Sequence, residues 1–294
     1  MPPNKVKLKG DTVPCSLSDG MAEMVEEYAE ALRTAAPTIG DHGLAPDEFW
    51  SSGLFRSAIE RLRGQQAAAT KDKYDFIKWA LEQLKAAGVI EDFKYTGAGD
   101  RHDFHIYMPS ERVCVVEAKG CLDGNNTTIY ERPPNADEFM IWSLCQSQGS
   151  NLRAGVWSGA HSRIGGSIIA TNVHVEALIV WDALCGGPKR PCPKIAEGRG
   201  VEVDGVKIPP PCIYLFPRTI PDPRNNPKPF MVKLPDVALA SALLKHFGGD
   251  DRDVTEVQIE ARMKGTNLQR QTTLIRSGRV VKQSNWTKLN RANR

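Results

Sequence analysis

Phe104-His105-Ile106-Tyr107-Met108-Pro109-Ser110-Glu111-Arg112-Val113-Cys114-Val115-Val116-Glu117-Ala118-Lys119 is the stretch on which the reading of this chain turns. Its first four residues alternate apolar and polar side chains, the next five carry turn residues, and the last seven are β-branched and apolar as far as Glu117. That pattern predicts a hairpin whose second strand is buried. With Ser110 at the centre, opposed residues have numbers summing to 220, so Asp103 faces Glu117 with Cα atoms about 4.5–5.5 Å apart. Side chains alternate along a strand, so Glu117 and Lys119 project from one face and Ala118 from the other.

Two carboxylates opposed on neighbouring strands repel, and burying them with an ammonium at the end of so apolar a strand costs more unless they are paired. A divalent cation removes the conflict, because Mg²⁺ takes carboxylate oxygens together with water and phosphate oxygens. Asp103 and Glu117 are the candidate metal ligands. Lys119 is the candidate for orienting or deprotonating an attacking water and offsetting phosphate charge, a set suited to phosphodiester hydrolysis. The competing reading is a Glu-Lys-Asp cluster on an exposed sheet edge, against which the apolar run argues.

Outward from the hairpin, Phe76, Ile77, Ala80, Leu81, Leu84 and Ala87 recur at helical spacing between a Thr70 N-cap and a Gly88 stop. Residues 89–95 read as a strand broken by Gly97-Ala98-Gly99, residues 137–145 and 161–171 as helices, and 175–181 as a buried strand. Strand, helical crossover and buried strand imply a parallel pair within a mixed sheet. Helices are also expected at 21–34, 47–64 and 234–247. Twelve of the 20 prolines fall in 188–235, where only 213–216 reads as a strand, and Ser277-Gly278 should turn between strands 272–276 and 280–283. The fold class is α/β, with an α+β mixed sheet. It comprises a helical N-terminal extension (1–69), a core (70–185), and a Pro-rich wrap with a basic C-terminal segment (186–294), folded as one domain.

Asp103, thirteen intervening residues and Glu117-Ala118-Lys119 resemble the motif of the PD-(D/E)xK nuclease superfamily, the fold of most Type II restriction endonucleases. That family's core is a helix, a three-stranded meander, a helix and a strand, an order matched over residues 70–182. His102 stands where the family has proline, and Asp100 competes with Asp103 for the metal role, although the register favours Asp103. The resemblance implies a sequence-specific endonuclease for double-stranded DNA using Mg²⁺, with Mn²⁺ as a substitute. It also implies a further carboxylate from the helix before the meander, with Glu82 taken ahead of Asp75 and Glu60. A double-strand cut at a palindromic site is made most simply by a homodimer. Alternatives are a repair, recombination or structure-specific nuclease on the same core, and a nucleic-acid-binding protein whose carboxylates are structural.

The net charge of +3 conceals a basic end: 261–294 holds nine Lys or Arg and no Asp or Glu, leaving 29 basic against 35 acidic residues elsewhere, a net of −6. Such a segment attracts a polyanion through counterion release. Arg270, Arg276, Arg279 and Lys282 are its candidate phosphate contacts, with Arg163 on the expected helix and Asn125 and Asn126 in the loop after the motif as further DNA candidates. A tight surface loop and a solvated arginine are the bland readings of the last three. Mean hydropathy is −0.37 and every apolar stretch stops well short of the roughly 20 residues a membrane span needs. Seven scattered cysteines without zinc-site spacing, and a charged N-terminus with no apolar run behind it, suggest free thiols and a cytoplasmic protein.

Overall fold

The computed structural model describes residues 12–13, 19–40, 42–55, 57–59, 70–96, 102–122, 131–145, 151–183, 185–187, 190–203 and 205–289. In chain order, α1 (Asp19–Ala35), α2 (Pro46–Ser51) and α3 (Thr70–Ala86) precede an antiparallel meander of β1 (Asp92–Tyr95), β2 (Phe104–Tyr107) and β3 (Val113–Lys119). The hairpin register is the expected one, with Phe104 paired to Val116 and Tyr107 to Val113.

Residues 137–145, expected as a helix, instead contribute β4 (Glu138–Cys145), parallel to β3 and buried at all eight positions. Phe139, Ile141 and Cys145 face one layer of helices, and Met140, Trp142 and Leu144 the other. A short apolar run has no period that separates a strand buried on both faces from a buried helix, and its place between two parallel neighbours selects the strand. The crossover helices do exist. They are α4 (Leu152–Ser158), a π-helical segment (Gly159–Ile164) and α5 (Gly165–Thr171), and they join β4 to the parallel β5 (Ala177–Asp182). β3 and β5 therefore run in one direction with β4 between them, rather than as a pair.

The Pro-rich region holds more regular structure than its composition suggests: α6 (Pro193–Ala196), the hairpin β6 (Val201–Val203) and β7 (Val206–Ile208), and β8 (Cys212–Leu215). After α7 (Ala238–His246) come β9 (Val254–Lys264), β10 (Asn267–Arg276), β11 (Arg279–Gln283) and the short β12 (Thr287–Lys288). The result is a mixed α/β fold around a ten-stranded sheet, in the order β1-β2-β3-β4-β5-β8-β9-β10-β11, with β12 paired to β10. The segment expected to wrap the core thus continues its sheet.

Helices cover both faces. Ile77, Leu81 and Leu84 of α3 and Leu239, Leu243 and Phe247 at α7 pack with Phe104, Val116, Met140, Trp142 and Ile179. On the other face Val156, Ala160, Ile164 and Ile168 pack with Val115, Phe139, Ile141, Tyr214, Ile259 and Leu274. Buried Thr12 fastens to this second face through partners distant in sequence: its hydroxyl donates to the Arg153 carbonyl at 2.7 Å, and its own carbonyl accepts from Arg276 Nη2 at 2.7 Å and from the Tyr214 hydroxyl.

Candidate active site at the end of the hairpin

β3 carries its apolar run into the sheet and ends on Glu117, Ala118 and Lys119. Glu117 is only 2% exposed, and its carboxylate pairs with the Lys119 ammonium on the same face. Asp103 enters from the start of β2, where its N–H donates to the Val116 carbonyl at 3.2 Å. Its Oδ2 accepts the Ala118 N–H at 2.7 Å, so the carboxylate is fastened to the backbone between the other two members of the motif. Its Oδ1 accepts the Tyr74 hydroxyl at 2.7 Å. Burial and the neighbouring Asp103 charge push the Tyr74 hydroxyl well above its ordinary range, so it stays a donor at neutral pH.

Tyr74 is the residue that sequence reasoning missed. α3 does reach the site, but through this phenol and not through Glu82. Glu82 lies eight residues further along, about 12 Å up the helix axis, exposed and 3.8 Å from Lys78. The expected role of Glu82 is corrected on that ground, and Asp75 is exposed on the same turn as Tyr74. The detectable signal was periodicity: Tyr74, Ile77, Leu81 and Leu84 share the core-facing stripe, and a polar-tipped aromatic at the end of such a stripe needs a partner. Asp100, Glu60, Asn125 and Asn126 lie outside the described residues.

Among the described residues no group of three or more His, Cys, Asp or Glu side chains is placed to hold a metal ion. The oxygen donors at the hairpin are the pair Asp103 and Glu117, a hard donor set that suits Mg²⁺ if water and phosphate oxygens complete the shell.

The expectation of free thiols is corrected at one pair. Lys119 pairs with Ser143 across the parallel strands, and two residues further Cys121 and Cys145 are joined by a disulfide, with Cα atoms 4.4 Å apart. Ser143 also donates its hydroxyl to the Gly120 carbonyl at 2.8 Å, so the chain leaving Lys119 is tied to β4 twice. Cys114 and Cys212 are free thiols. Only the β3–β4 register brings the bonded pair together, and that register depends on the strand the sequence reading lacked.

The basic end is less uniform than its composition. Arg270 is buried at 7% exposure, and Arg276 turns inward to Thr255 Oγ1 at 2.9 Å and to the Thr12 carbonyl, so neither is the exposed phosphate contact expected of it. Arg279 is exposed, Lys282 is half-buried with its ammonium 4.8 Å from the centre of the Trp157 ring, and Arg163 is half-buried on the π segment. His161 stacks on Trp157 at 5.1 Å and its Nδ1 lies 2.9 Å from Thr272 Oγ1. Burial, then the Arg270 and Lys282 charges, push His161 from 6.5 down to about 4. Between those values the unfolded chain takes up a proton that the folded chain refuses, so stability falls as pH falls through that window, by up to about 3 kcal/mol. Urea midpoints at pH 7 and pH 5 should differ less in His161→Gln than in the parent, and an unchanged difference would count against this source.

No family model, curated protein or solved structure matches this chain. No helix among the described residues is long and apolar enough to cross a membrane.

Proposed function

We propose that the protein is a Mg²⁺-dependent endonuclease of double-stranded DNA, built on a PD-(D/E)xK-like core and specific for a sequence in the manner of a Type II restriction enzyme. One observation carries the reading: a carboxylate and an ammonium stand at the end of a strand buried on both faces, with a second carboxylate fastened to the amide between them. Burying such a cluster is costly, and a fold that needed only stability would do as well with apolar side chains there.

In this reading Asp103 and Glu117 hold the metal, which supplies Lewis-acid activation of water and phosphate. Lys119 donates to the attacking water or to a non-bridging phosphate oxygen, and the Ala118 amide and Tyr74 hydroxyl keep the Asp103 carboxylate from rotating away. Tyr74→Phe should therefore lower the cleavage rate about tenfold while leaving DNA affinity unchanged, measured under single-turnover conditions.

Incubating the protein with a large mixed-sequence DNA, with and without Mg²⁺ or Mn²⁺, is the deciding experiment. Discrete fragments support a restriction enzyme, cutting only at junctions, flaps or ends supports a repair or recombination nuclease, and no metal-dependent cutting overturns the proposal. A second reading has its own observation: all three charged groups already have protein partners, as in a purely structural cluster of a DNA-binding protein. Binding without turnover would select it.

A homodimer presenting two active centres to a palindrome belongs to the same proposal, checked by light scattering with and without cognate DNA. So does the cytoplasmic setting. The Cys121–Cys145 bond counts against it, since such bonds are rare in cytosolic proteins, and thiol labelling in cell extract decides.

Arg279 is the described member of the basic hairpin best placed to meet a phosphate from outside. Arg279→Ala should flatten the slope of log K against log salt by about 0.9, for specific and random duplex alike, with the cutting sequence unchanged. An unchanged slope would make this turn a solvated surface.

A further inference from the structure

A guanidinium keeps its charge in any protein, so one held away from water needs an acceptor. Arg270 is 7% exposed, its Nε has no hydrogen-bond partner among the described residues, and its guanidinium forms no ion pair with any of them. The surroundings are shaped for the group rather than against it. A Cβ on Gly166 would stand 2.9 Å from Arg270 Nη1, so a glycine at this point of α5 makes the room that the guanidinium occupies.

A second cation stands on the next strand. Lys282, on the adjacent strand β11 and opposite Leu274, lies over the Trp157 ring, and Trp157 stacks on His161, whose Nε2 is 3.4 Å from Thr287 Oγ1. Thr287 in turn is the β12 partner of Arg270. Burial depresses both Lys282 and Arg270, and the charge of each reaches His161 and depresses it.

We propose that Arg270, beside Gly166, Thr287 and His161 and with Lys282 supplying charge at longer range, forms a binding site for a single phosphate-type oxyanion. The planar fork of the arginine suits two oxygens of a tetrahedral anion, and Lys282 adds positive charge at longer range. Bound there, the anion supplies the acceptor that the described residues lack. The site is separate from the hairpin: from β3 to β10 there are five strand spacings, about 24 Å at roughly 4.8 Å each. It stands whether or not the nuclease reading does. The same chemistry has two possible sources, a free phosphate ion or a phosphodiester of a nucleic-acid backbone.

The test uses the whole protein and inorganic phosphate, with chloride at matched ionic strength as the control for screening. Phosphate should raise the melting temperature saturably, and calorimetry should show one site per chain. Arg270→Gln should abolish that site. Lys282→Gln should weaken it by roughly tenfold, and so should Gly166→Ala, which displaces the guanidinium without removing its charge. No saturable effect in the parent, or equal phosphate affinity in Arg270→Gln, overturns the proposal; should Arg270→Gln fail to fold, equal affinity in both other variants does so. A short duplex assigns the source. If phosphate competes with the duplex, the backbone is the ligand; if both bind independently, the ligand is the free ion. Either result keeps the site.

Discussion

Glu117→Gln protein should fold, bind duplex DNA, and cleave it at least about a hundredfold more slowly than the parent in Mg²⁺, because the substitution removes a metal-holding charge while keeping the shape of the side chain. Lys119→Ala should lose activity to a similar extent, but with a second consequence. It strands the Glu117 carboxylate, 2% exposed, without its counter-charge, so this variant should also unfold at lower urea concentration. The two variants together separate chemistry from scaffolding. A Lys119→Ala preparation that cuts at near the parental rate would remove the motif from the mechanism, however stable the protein. Loss of stability in both variants, in a parent with no metal-dependent turnover, would leave the cluster a structural one. Asp103→Asn should behave as Glu117→Gln does; activity in that variant combined with a dead Asp100→Asn would move the metal role to Asp100.

The second large effect is expected far from the hairpin chemistry. Glu138, fully buried at the start of β4, accepts the N–H groups of Ala238 at 2.6 Å and Leu239 at 3.3 Å, which are the opening residues of α7. Arg112 supplies its counter-charge at 2.9 Å, and the Cys114 thiol lies at 3.2 Å. α7 has no side-chain cap of its own at Val237, so a carboxylate 100 residues away in sequence does that work, at the helix end where negative charge is favoured. Glu138→Ala leaves two helix N–H groups without their acceptor and Arg112 without its counter-charge, and should lower unfolding stability by about 3–5 kcal/mol in urea titrations. A loss under about 1 kcal/mol would show that water replaces the carboxylate at no cost.

Which parts of this architecture were legible follows from how local their signals are. The hairpin register came from alternation and a turn within sixteen residues, and α3 from a single apolar stripe. β4 was misread because Phe139-Met140-Ile141-Trp142-Ser143-Leu144-Cys145 is apolar but for one serine, and burial on both faces erases the period that would reveal it. Every later miss descends from long-range pairing. The Cys121–Cys145 bond needs the β3–β4 register, the Tyr74–Asp103 contact spans 29 residues, and Arg276 finds its acceptor 264 residues away. Charge counting identified a basic end but could not tell Arg279, exposed at the start of β11, from Arg270 and Arg276, whose side chains point into the molecule.

The clip at Thr12 bears on the order of assembly. Along its main path the sheet is laid down in the order of the chain, each new strand joining the edge left by the one before, so a nascent polypeptide can extend it stepwise while synthesis continues. Thr12 and Val13 precede every one of these strands in the chain yet cannot find their seat until Tyr214 and then Arg276 are in place. Closing so long a loop is the step that waits on everything else. The earliest-made part of this structure is therefore the last to dock, and a probe at Val13 would report the completion of folding rather than its nucleus.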